Sequence, residues 1–294
     1  MRLTQLLALG LLSLSPNLLP AAVADDTAAA KKICDTHKDA VIWVSAVAKI
    51  SITTSDSRMG RNIPDQERKL EAVGTIVDSA GMVVTALSNI DPSGQVSGRE
   101  VNTPQGRITL DASAILKEVK IILADGSEVP ADVVMKDADL DLAFLRPKPD
   151  AKEAKGITFP CVSLKDSGTA ELADQVVSLA RADEILNRQP QVSRGQIITV
   201  TKKPRQFLRV NNATQGGPSF TMDGKLLGIG VNRSTKDKAA VTVVLPAADV
   251  LEIAEQAKTA KPIVQEEKPK PADDDGKSEK TDGKKEDTKK EESK

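Results

Sequence analysis

The chain has 294 residues, with 41 basic and 42 acidic side chains and a net charge of −1. Hydrophobic residues make up 39% of it, which is enough to build a core and excludes a chain that is disordered throughout. The balanced charge argues against a nucleic-acid binder, and the 2% aromatic content removes the stacking surfaces that single strands need. Because the chain has a single His, any imidazole-dependent mechanism must use His37.

The N-terminus has the features of a secretory signal peptide. Arg2 gives a positive start, residues 6–14 (LLALGLLSL) form a short apolar run, and residues 22–24 (AVA) supply the small side chains of a cleavage site. The run is shorter than the roughly 20 residues that a bilayer span requires, so a retained anchor is the less favoured alternative. We expect a signal peptide over residues 1–24, export to a periplasm or the extracellular space, and no membrane span after cleavage.

After a short helix at residues 27–37, β-strand patterns dominate the middle of the chain. Apolar and polar residues alternate, β-branched residues are frequent, and turn sequences such as Asp125-Gly126 separate the runs. Two polar stretches, residues 51–70 and 91–113, are predicted to be long inserted loops. The predicted strands are residues 40–47, 72–77, 82–86, 119–123, 133–135, 142–145, 175–179, 196–200, 207–210, 226–231 and 241–245.

One amphipathic helix and a charged tail follow the last strand. Pro246 begins the helix, and Ala247, Val250 and Ala254 lie on its apolar face, which we expect to pack on the strands. Residues 265–294 hold 11 acidic and 9 basic side chains and almost no apolar ones, so they cannot offset the entropy of ordering and are predicted to be disordered. A solubilising role is favoured for the tail, and a tether to the cell envelope or a partner is the alternative.

Three segments occur in a fixed order: residues 73–90 (VGTIVDSAGMVVTALSNI), residues 139–145 (DLDLAFL), and residues 213–218 (ATQGGP), the last followed by DGKLLGI at 223–229. Together they resemble the HtrA-like (DegP-type) proteases of the trypsin superfamily. The resemblance implies an all-β fold, a trypsin-like double β-barrel of two six-stranded barrels with a cleft between them and a C-terminal helix. The family's peptide-binding PDZ module has no counterpart after residue 258. The implied units are a signal peptide (1–24), an N-terminal segment with the first barrel (25–150), the second barrel with its helix (151–258) and a charged tail (259–294).

The family's catalytic positions carry different residues here. Its general-base His falls on Ser88, and its nucleophilic Ser falls on Gln215. The Gly two residues before that Ser falls on Ala213, and only the orienting Asp is retained, as Asp141. Acyl transfer needs a nucleophile whose proton is taken by a base near neutral pKa, and neither a carboxamide nor an unassisted hydroxyl supplies this. The resemblance therefore implies a pseudoprotease with no intact catalytic triad.

These residues are compatible with three different functions. The favoured one is an exported pseudoprotease that binds extended peptides or unfolded or envelope proteins, with its oligomeric state undetermined. The second is an active serine endopeptidase with a non-standard constellation, in which Ser88 or Ser219 is the nucleophile. The third is a structural envelope protein whose cleft binds nothing. His37 precedes the first matched segment, and we interpret it as a surface residue rather than a substitute base.

Several smaller predictions concern polar and sulfur-containing residues. Asp141 is either an anchor that accepts a hydrogen bond from Ser88 or a simply solvated carboxylate. Cys34 and Cys161 are the only cysteines, and in an exported protein a disulfide between them is slightly favoured over two separate buried thiols. No cofactor and no metal are predicted, because two thiols without a nearby His cannot complete a zinc site.

Overall fold

The computed structural model describes residues 21–55, 63–104, 106–235 and 238–264. Most of the predicted signal peptide and the charged tail from residue 265 lie outside the described residues. The first element is a helix, α1 (Ala21–His37), and it begins earlier than the predicted helix at 27–37. One turn of 3-10 helix, Lys38–Ala40, connects α1 to the first strand.

Seven strands follow, and six of them close into the first barrel. The ring runs β1–β2–β3–β7–β6–β5 and closes by pairing β5 with β1, while β4 pairs with β5 outside the ring. Two short helices, α2 (Leu87–Ile90) and α3 (Ser93–Val96), follow β3. The strands are β1 (Val41–Thr54), β2 (Gln66–Ile76), β3 (Val83–Ala86), β4 (Glu100–Thr103), β5 (Gly106–Ile122), β6 (Glu128–Asp137) and β7 (Leu142–Pro147).

The second barrel is also a closed ring of six antiparallel strands, in the order β10–β13–β12–β11–β8–β9. Helix α4 (Ala247–Thr259) follows directly from its last strand, and short 3-10 turns lie at Lys152–Ala154 and Glu184–Leu186. The strands are β8 (Gln175–Arg181), β9 (Pro190–Thr201), β10 (Phe207–Val210), β11 (Pro218–Thr221), β12 (Leu226–Thr235) and β13 (Lys238–Pro246). The predicted all-β double barrel with a C-terminal helix is confirmed.

The hydrophobic residues form three clusters that match this architecture. One fills the first barrel and includes Ile76 and Ile121, and one fills the second barrel and includes Leu208 and Val244. The third and largest lies between the barrels and under α4, where Val250 is fully buried. The apolar face of α4 therefore seals the junction of the two barrels, and burial of such side chains contributes about 1.5–3 kcal/mol each.

The prediction of two long loops is wrong over much of their length. β1 continues to Thr54, β2 begins at Gln66 and β5 begins at Gly106, so the three strands extend past the barrel as a paired ribbon. The outer half of β5 alternates only between exposed and half-buried residues, which weakens the apolar alternation that identifies a strand. Strands β4 and β11 were not predicted, because β4 (EVNT) has no buried side chain and β11 begins with a proline.

Main-chain contacts join the two barrels at one glycine. Gly216 has a φ of +75°, and a Cβ at this position would lie 1.9 Å from the carbonyl oxygen of Val73 in the first barrel. The hydroxyl of Thr75 donates a 2.8 Å hydrogen bond to the carbonyl oxygen of Gly216. The loop of the second barrel can approach the first this closely only because residue 216 has no side chain.

The buried guanidinium of Arg181 makes a second connection, at the far end of β8. It donates hydrogen bonds to the carbonyl oxygens of Val41, Lys38 (2.8 Å) and Arg188 (3.0 Å). The first of these carbonyls belongs to the first barrel and the last to the β8–β9 hairpin. One buried side chain of the second barrel thus fixes the entry of the chain into the first.

We predict that Gly216→Ala destabilises the protein by more than about 3 kcal/mol, because a collision with Val73 adds to the backbone strain. The control is Gly126→Ala, since Gly126 has a φ of +87° and no atom within 4 Å of a built Cβ. That variant should lose only the strain, about 1–2 kcal/mol. Urea unfolding of both variants measures the difference, and equal losses would contradict the proposed close contact.

Candidate functional site

The structure brings Ser88, Asp141 and Gln215 together at the junction of the barrels. Ser88 lies in α2, directly after β3, and Asp141 lies in the turn between β6 and β7. Gln215 lies in the loop before β11 of the second barrel. Asp141 has a left-handed backbone with φ +57°, a conformation that Asp adopts more readily than most residues, and its carbonyl oxygen accepts from the N–H of Leu87 (3.0 Å).

The carboxylate of Asp141 is buried, with 7% of the residue exposed, and it accepts three hydrogen bonds. The backbone N–H and the hydroxyl of Ser88 donate to its two oxygens, at 2.7 Å and 3.1 Å. The backbone N–H of Asn232, on β12 of the second barrel, donates the third at 2.6 Å. The carboxylate is therefore an anchor that receives donors from both barrels, and the alternative of a solvated Asp141 is excluded.

A chain of side-chain hydrogen bonds continues from this carboxylate across the junction. The amide nitrogen of Asn232 donates to the hydroxyl oxygen of Ser88 at 2.9 Å. The amide nitrogen of Gln215 donates to the amide oxygen of Asn232 at 2.6 Å and to the hydroxyl oxygen of Thr242 at 3.2 Å. Hydrogen bonds therefore connect the side chains at all three positions of the family's catalytic triad: Ser88, Asp141 and Gln215.

The acceptor-only carboxylate sets the direction of every bond in this chain. Because Asp141 accepts, the Ser88 hydroxyl must donate to it, so its oxygen is left to accept from the nitrogen of Asn232. The oxygen of Asn232 then faces Gln215, whose nitrogen must donate. Hydrogen bonds aligned in this way polarise one another, which strengthens the chain beyond isolated pairs.

Two opposing effects act on the pKa of Asp141. Burial, the larger, raises the pKa above its ordinary value because a charged carboxylate loses its hydration. The N–H groups of Asn232 and Ser88 and the Ser88 hydroxyl act in the opposite direction, as does the positive charge of Arg233. Burial prevails, so the three donors offset only part of the cost of placing this charge between the barrels.

Asn232 and Thr242 were missed by the sequence analysis. They lie opposite each other on β12 and β13. Asn232 is one residue beyond the predicted strand 226–231, and Thr242 lies within the predicted strand 241–245. The only sequence signal is that an Asn follows the apolar run of residues 226–231, and Asn is depleted in strands. That signal suggests a special position but does not identify its partners.

The loop at Ala213 keeps close main-chain packing. The N–H of Ala213 lies 3.5 Å from the carbonyl oxygen of Val210, and the N–H groups of Gly216 and Gly217 donate to the carbonyl oxygens of Gly230 (2.7 Å) and Thr214 (3.1 Å). The N–H groups of both glycines in this loop are therefore used within the second barrel.

The structure does not contain the disulfide that was slightly favoured between Cys34 and Cys161, and both residues are free thiols in it. Their charged neighbours differ: those of Cys34 include Asp35, Lys38 and Arg181, and that of Cys161 is Asp78 in the first barrel. Burial raises the pKa of both thiols, which opposes formation of a reactive thiolate. Cys34 is carried on α1 and Cys161 on the segment between the barrels, and nothing in the sequence shows that these environments differ.

The only imidazole lies against the second barrel. The ring of His37 stacks on Phe220 of β11, with 4.6 Å between ring centroids and 14° between planes. Burial lowers the pKa of His37 below its ordinary value. His37 makes none of the hydrogen bonds of the Asp141–Gln215 chain.

Two clefts adjoin Gln215. The inner cleft, of about 360 Å³, lies between the barrels and is lined by Trp43, Glu71, Asn89 and Thr242 with neighbouring backbone of residues 213–215. The outer cleft, of about 670 Å³, is lined by Ser178, Ala180, residues 190–193 and residues 212–214. Ala213 and Thr214 line both clefts, so the two are neighbours at these residues, and together we call them the groove.

No metal site or membrane span was found in the part of the chain that the structure describes. Its His, Cys, Asp and Glu side chains do not gather in any group of three or more that could hold a metal ion. None of the described helices combines the length and hydropathy that crossing a membrane requires.

Two closed six-stranded barrels, joined at a buried Asp with a G-G-P loop opposite, define a protein of the trypsin fold. A family model, the trypsin-like peptidase domain, matches residues 72–229, which is more than half of the chain. The chain therefore belongs to the trypsin-like peptidase family. The match includes Ser88, Asp141 and Gln215 but ends before Asn232 and Thr242.

We predict that Asp141→Asn lowers the free energy of unfolding by about 1–3 kcal/mol, although Asn tolerates the left-handed backbone. The Asn side chain offers one oxygen to three donors, so its NH₂ group must face at least one of them. The control is Asp139→Asn, which changes an exposed carboxylate two residues away. If urea unfolding gives the same midpoint for both variants, the buried carboxylate is not needed to hold the junction.

We predict a pH effect at His37. Its pKa in the folded protein is depressed below the unfolded value of about 6.5, so the unfolded chain binds the proton first as the pH falls. The stabilising contribution of the neutral ring is therefore complete above that value and is lost below it. Urea unfolding between about pH 8 and about pH 5 should show a steeper loss for wild type than for His37→Phe, and parallel curves would contradict the assignment.

Proposed function

We propose that this protein is an exported, proteolytically inactive member of the trypsin-like peptidase family, of HtrA-like ancestry, that binds extended polypeptides. One observation carries the proposal. The residue at the nucleophile position, Gln215, and the residue at the base position, Ser88, are both committed to the hydrogen-bond chain that ends on Asp141.

The chemistry of these hydrogen-bonded side chains supports the proposal that the protein does not hydrolyse peptides. Peptide hydrolysis by this fold needs an oxygen nucleophile and a base that accepts its proton. The carboxamide of Gln215 supplies neither, and its nitrogen donates to Asn232 and Thr242. Loss of both triad members removes about 10⁶ in rate by analogy with triad knockouts in a related chemistry.

Ser219 and Ser88 are the two serines that could replace the missing nucleophile. Ser219 is 1% exposed and its hydroxyl lies 2.8 Å from that of Ser178, so it is enclosed in the second barrel, and it lines neither of the two described clefts. The hydroxyl of Ser88 is closer to the junction, and it donates a hydrogen bond to the carboxylate of Asp141. Two further N–H donors oppose the rise that burial causes in the pKa of this carboxylate, so they reduce its strength as a base for Ser88.

The groove beside Gln215 supports a binding role. Its lining combines apolar surface, from Trp43, Ala180 and Val192, with neutral polar groups of Asn89 and Thr214. Clefts of this composition suit a neutral extended main chain with small or apolar side chains. The single acidic side chain of the inner cleft, Glu71, is paired with Lys69 (3.0 Å) and Arg188 (3.4 Å), so it leaves little unbalanced charge.

We predict that the purified protein does not react with a serine-directed fluorophosphonate probe and does not cleave an unfolded protein substrate. The probe needs an activated oxygen nucleophile, and a serine hydroxyl without a base is almost fully protonated at neutral pH. An active trypsin-fold protease at the same concentration is the positive control. Stoichiometric labelling mapped by mass spectrometry to Ser88 or Ser219 would overturn the proposal and favour a peptidase with a non-standard constellation.

A matched binding measurement separates the proposed receptor from a purely structural envelope protein. The protein and a heat-unfolded sample of it, each immobilised, are incubated with the same pool of extended peptides. We expect the folded sample alone to enrich a reproducible set. If neither sample enriches any peptides, the result would favour a purely structural envelope protein.

A further inference from the structure

One segment of the second barrel carries basic side chains and no acidic ones. Over the whole chain the two signs are almost equal, with 41 basic and 42 acidic side chains. Residues 185–222, which include β9, β10 and β11, contain no Asp or Glu. Their basic residues are Arg188, Arg194, Lys202, Lys203, Arg205 and Arg209. The positive charge here is therefore a local feature of the second barrel.

Half of these basic side chains are neutralised by the protein and half are not. Arg188, Arg194 and Arg205 each form an ion pair with a carboxylate from another part of the chain. The side chains of Lys202, Lys203 and Arg209 are exposed. They form no ion pair with any carboxylate in the part of the chain that the structure describes. Three positive charges are thus left for a partner outside the chain.

The strand register brings these three charges together. Arg209 of β10 is paired with Thr199 of β9, and the side chains of paired residues lie on the same face of a sheet. Lys202 and Lys203 follow β9 in the loop that joins it to β10. All three therefore belong to one β-hairpin, and we call the surface that carries Lys202, Lys203 and Arg209 the basic hairpin face.

Exposed apolar side chains border the basic hairpin face. Ile198 precedes Thr199 on β9 and is 44% exposed, and Leu172 is 63% exposed. The N–H of Ala173 donates to the carbonyl oxygen of Ile197 at 2.9 Å, which places Leu172 beside this part of β9. Basic side chains next to exposed aliphatic ones suit the interface of an anionic bilayer, where the headgroups attract the charges and the aliphatic groups enter the acyl boundary.

The N-terminal segment reaches the second barrel at the same strand. Asp26, near the start of α1, lies 3.9 Å from Arg194 of β9. The apolar run at residues 6–14 precedes α1 by only six residues, which span at most about 20 Å when extended. A membrane that holds this run, as expected of a signal peptide, is therefore within reach of β9.

A nucleic acid is the other polyanion that basic side chains could bind. Single strands bind proteins by stacking their bases on aromatic rings in addition to contacting basic groups. The groups that border the basic hairpin face are the aliphatic side chains of Ile198 and Leu172, which offer no ring for stacking. The chemistry of this surface therefore favours a lipid interface over a nucleic acid.

We infer that the basic hairpin face binds the surface of an anionic phospholipid bilayer. Lys202, Lys203 and Arg209 contact the phosphate groups, and Ile198 and Leu172 enter the boundary between the headgroups and the acyl chains. None of these five residues lines the groove beside Gln215. The inference is thus independent of the proposed peptide binding, and each can fail without the other.

The test compares two double variants of the full chain. Lys202→Gln/Lys203→Gln removes two charges from the basic hairpin face. The matched control, Lys152→Gln/Lys155→Gln, removes two charges from exposed lysines at the 3-10 turn between the barrels. Binding is measured by co-sedimentation with vesicles of phosphatidylglycerol and phosphatidylcholine, and with vesicles of phosphatidylcholine alone. Every sample has the same N-terminus, so the apolar run contributes equally to all of them.

We expect wild type and the control to bind the anionic vesicles alike. Each Lys near an anionic surface contributes about fivefold to partitioning, so the hairpin variant should bind about 30-fold more weakly at low salt. Raising the ionic strength from about 0.1 M to about 1 M shortens the Debye length from about 10 Å to about 3 Å and should remove most of this difference. Ile198→Ser should weaken the binding that persists at high salt.

Three results would overturn the inference. Equal losses in the two double variants would show that only the total charge matters. Equal binding of wild type to neutral and anionic vesicles would assign the attachment to the apolar N-terminal run. If a single-stranded oligonucleotide or polyglutamate binds through Lys202 and Lys203 while the anionic vesicles do not, the partner is another macromolecule and not a bilayer.

Discussion

The structure depends on one buried carboxylate. Asp141 lies between two barrels, where a charge is costly unless donors surround it, and the donors come from both sides: Ser88 from the first barrel and the N–H of Asn232 from the second. Because the carboxylate only accepts, it fixes the orientation of Ser88, Asn232 and Gln215 in turn. The side chains at the family's catalytic positions are thus held in place by hydrogen bonds that begin at this charge.

Close packing explains why the G-G-P loop keeps both glycines although residue 215 is not a serine. Gly216 lies against the carbonyl of Val73, and a Cβ on Gly217 would lie 2.5 Å from the carbonyl of Leu179. Both glycines are required by main-chain packing, within the second barrel and against the first. A sequence resemblance in this loop therefore reports the joining of the barrels and does not require a serine at position 215.

The sequence predicts the barrels well because their strands bury one face, and burial produces the alternation that identifies a strand. It fails where that condition ends: the ribbon formed by the outer parts of β1, β2 and β5 has no deeply buried face, so its strands resemble loops. The spacing of the three matched segments also locates Ser88, Asp141 and Gln215. What it cannot supply is their partners, since Asn232 and Thr242 contact Gln215 only through the closure of the second barrel.

Binding and hydrolysis use different parts of this fold. Hydrolysis requires two side chains, at positions 88 and 215, with matched proton affinities. The proposed binding of an extended polypeptide uses the clefts beside Gln215, which the packing of the barrels forms. The proposed binding surface does not depend on these two side chains, and Ser88 and Gln215 connect the barrels beside it. A rigid junction favours affinity, because a surface that is already ordered loses less conformational entropy when a peptide binds.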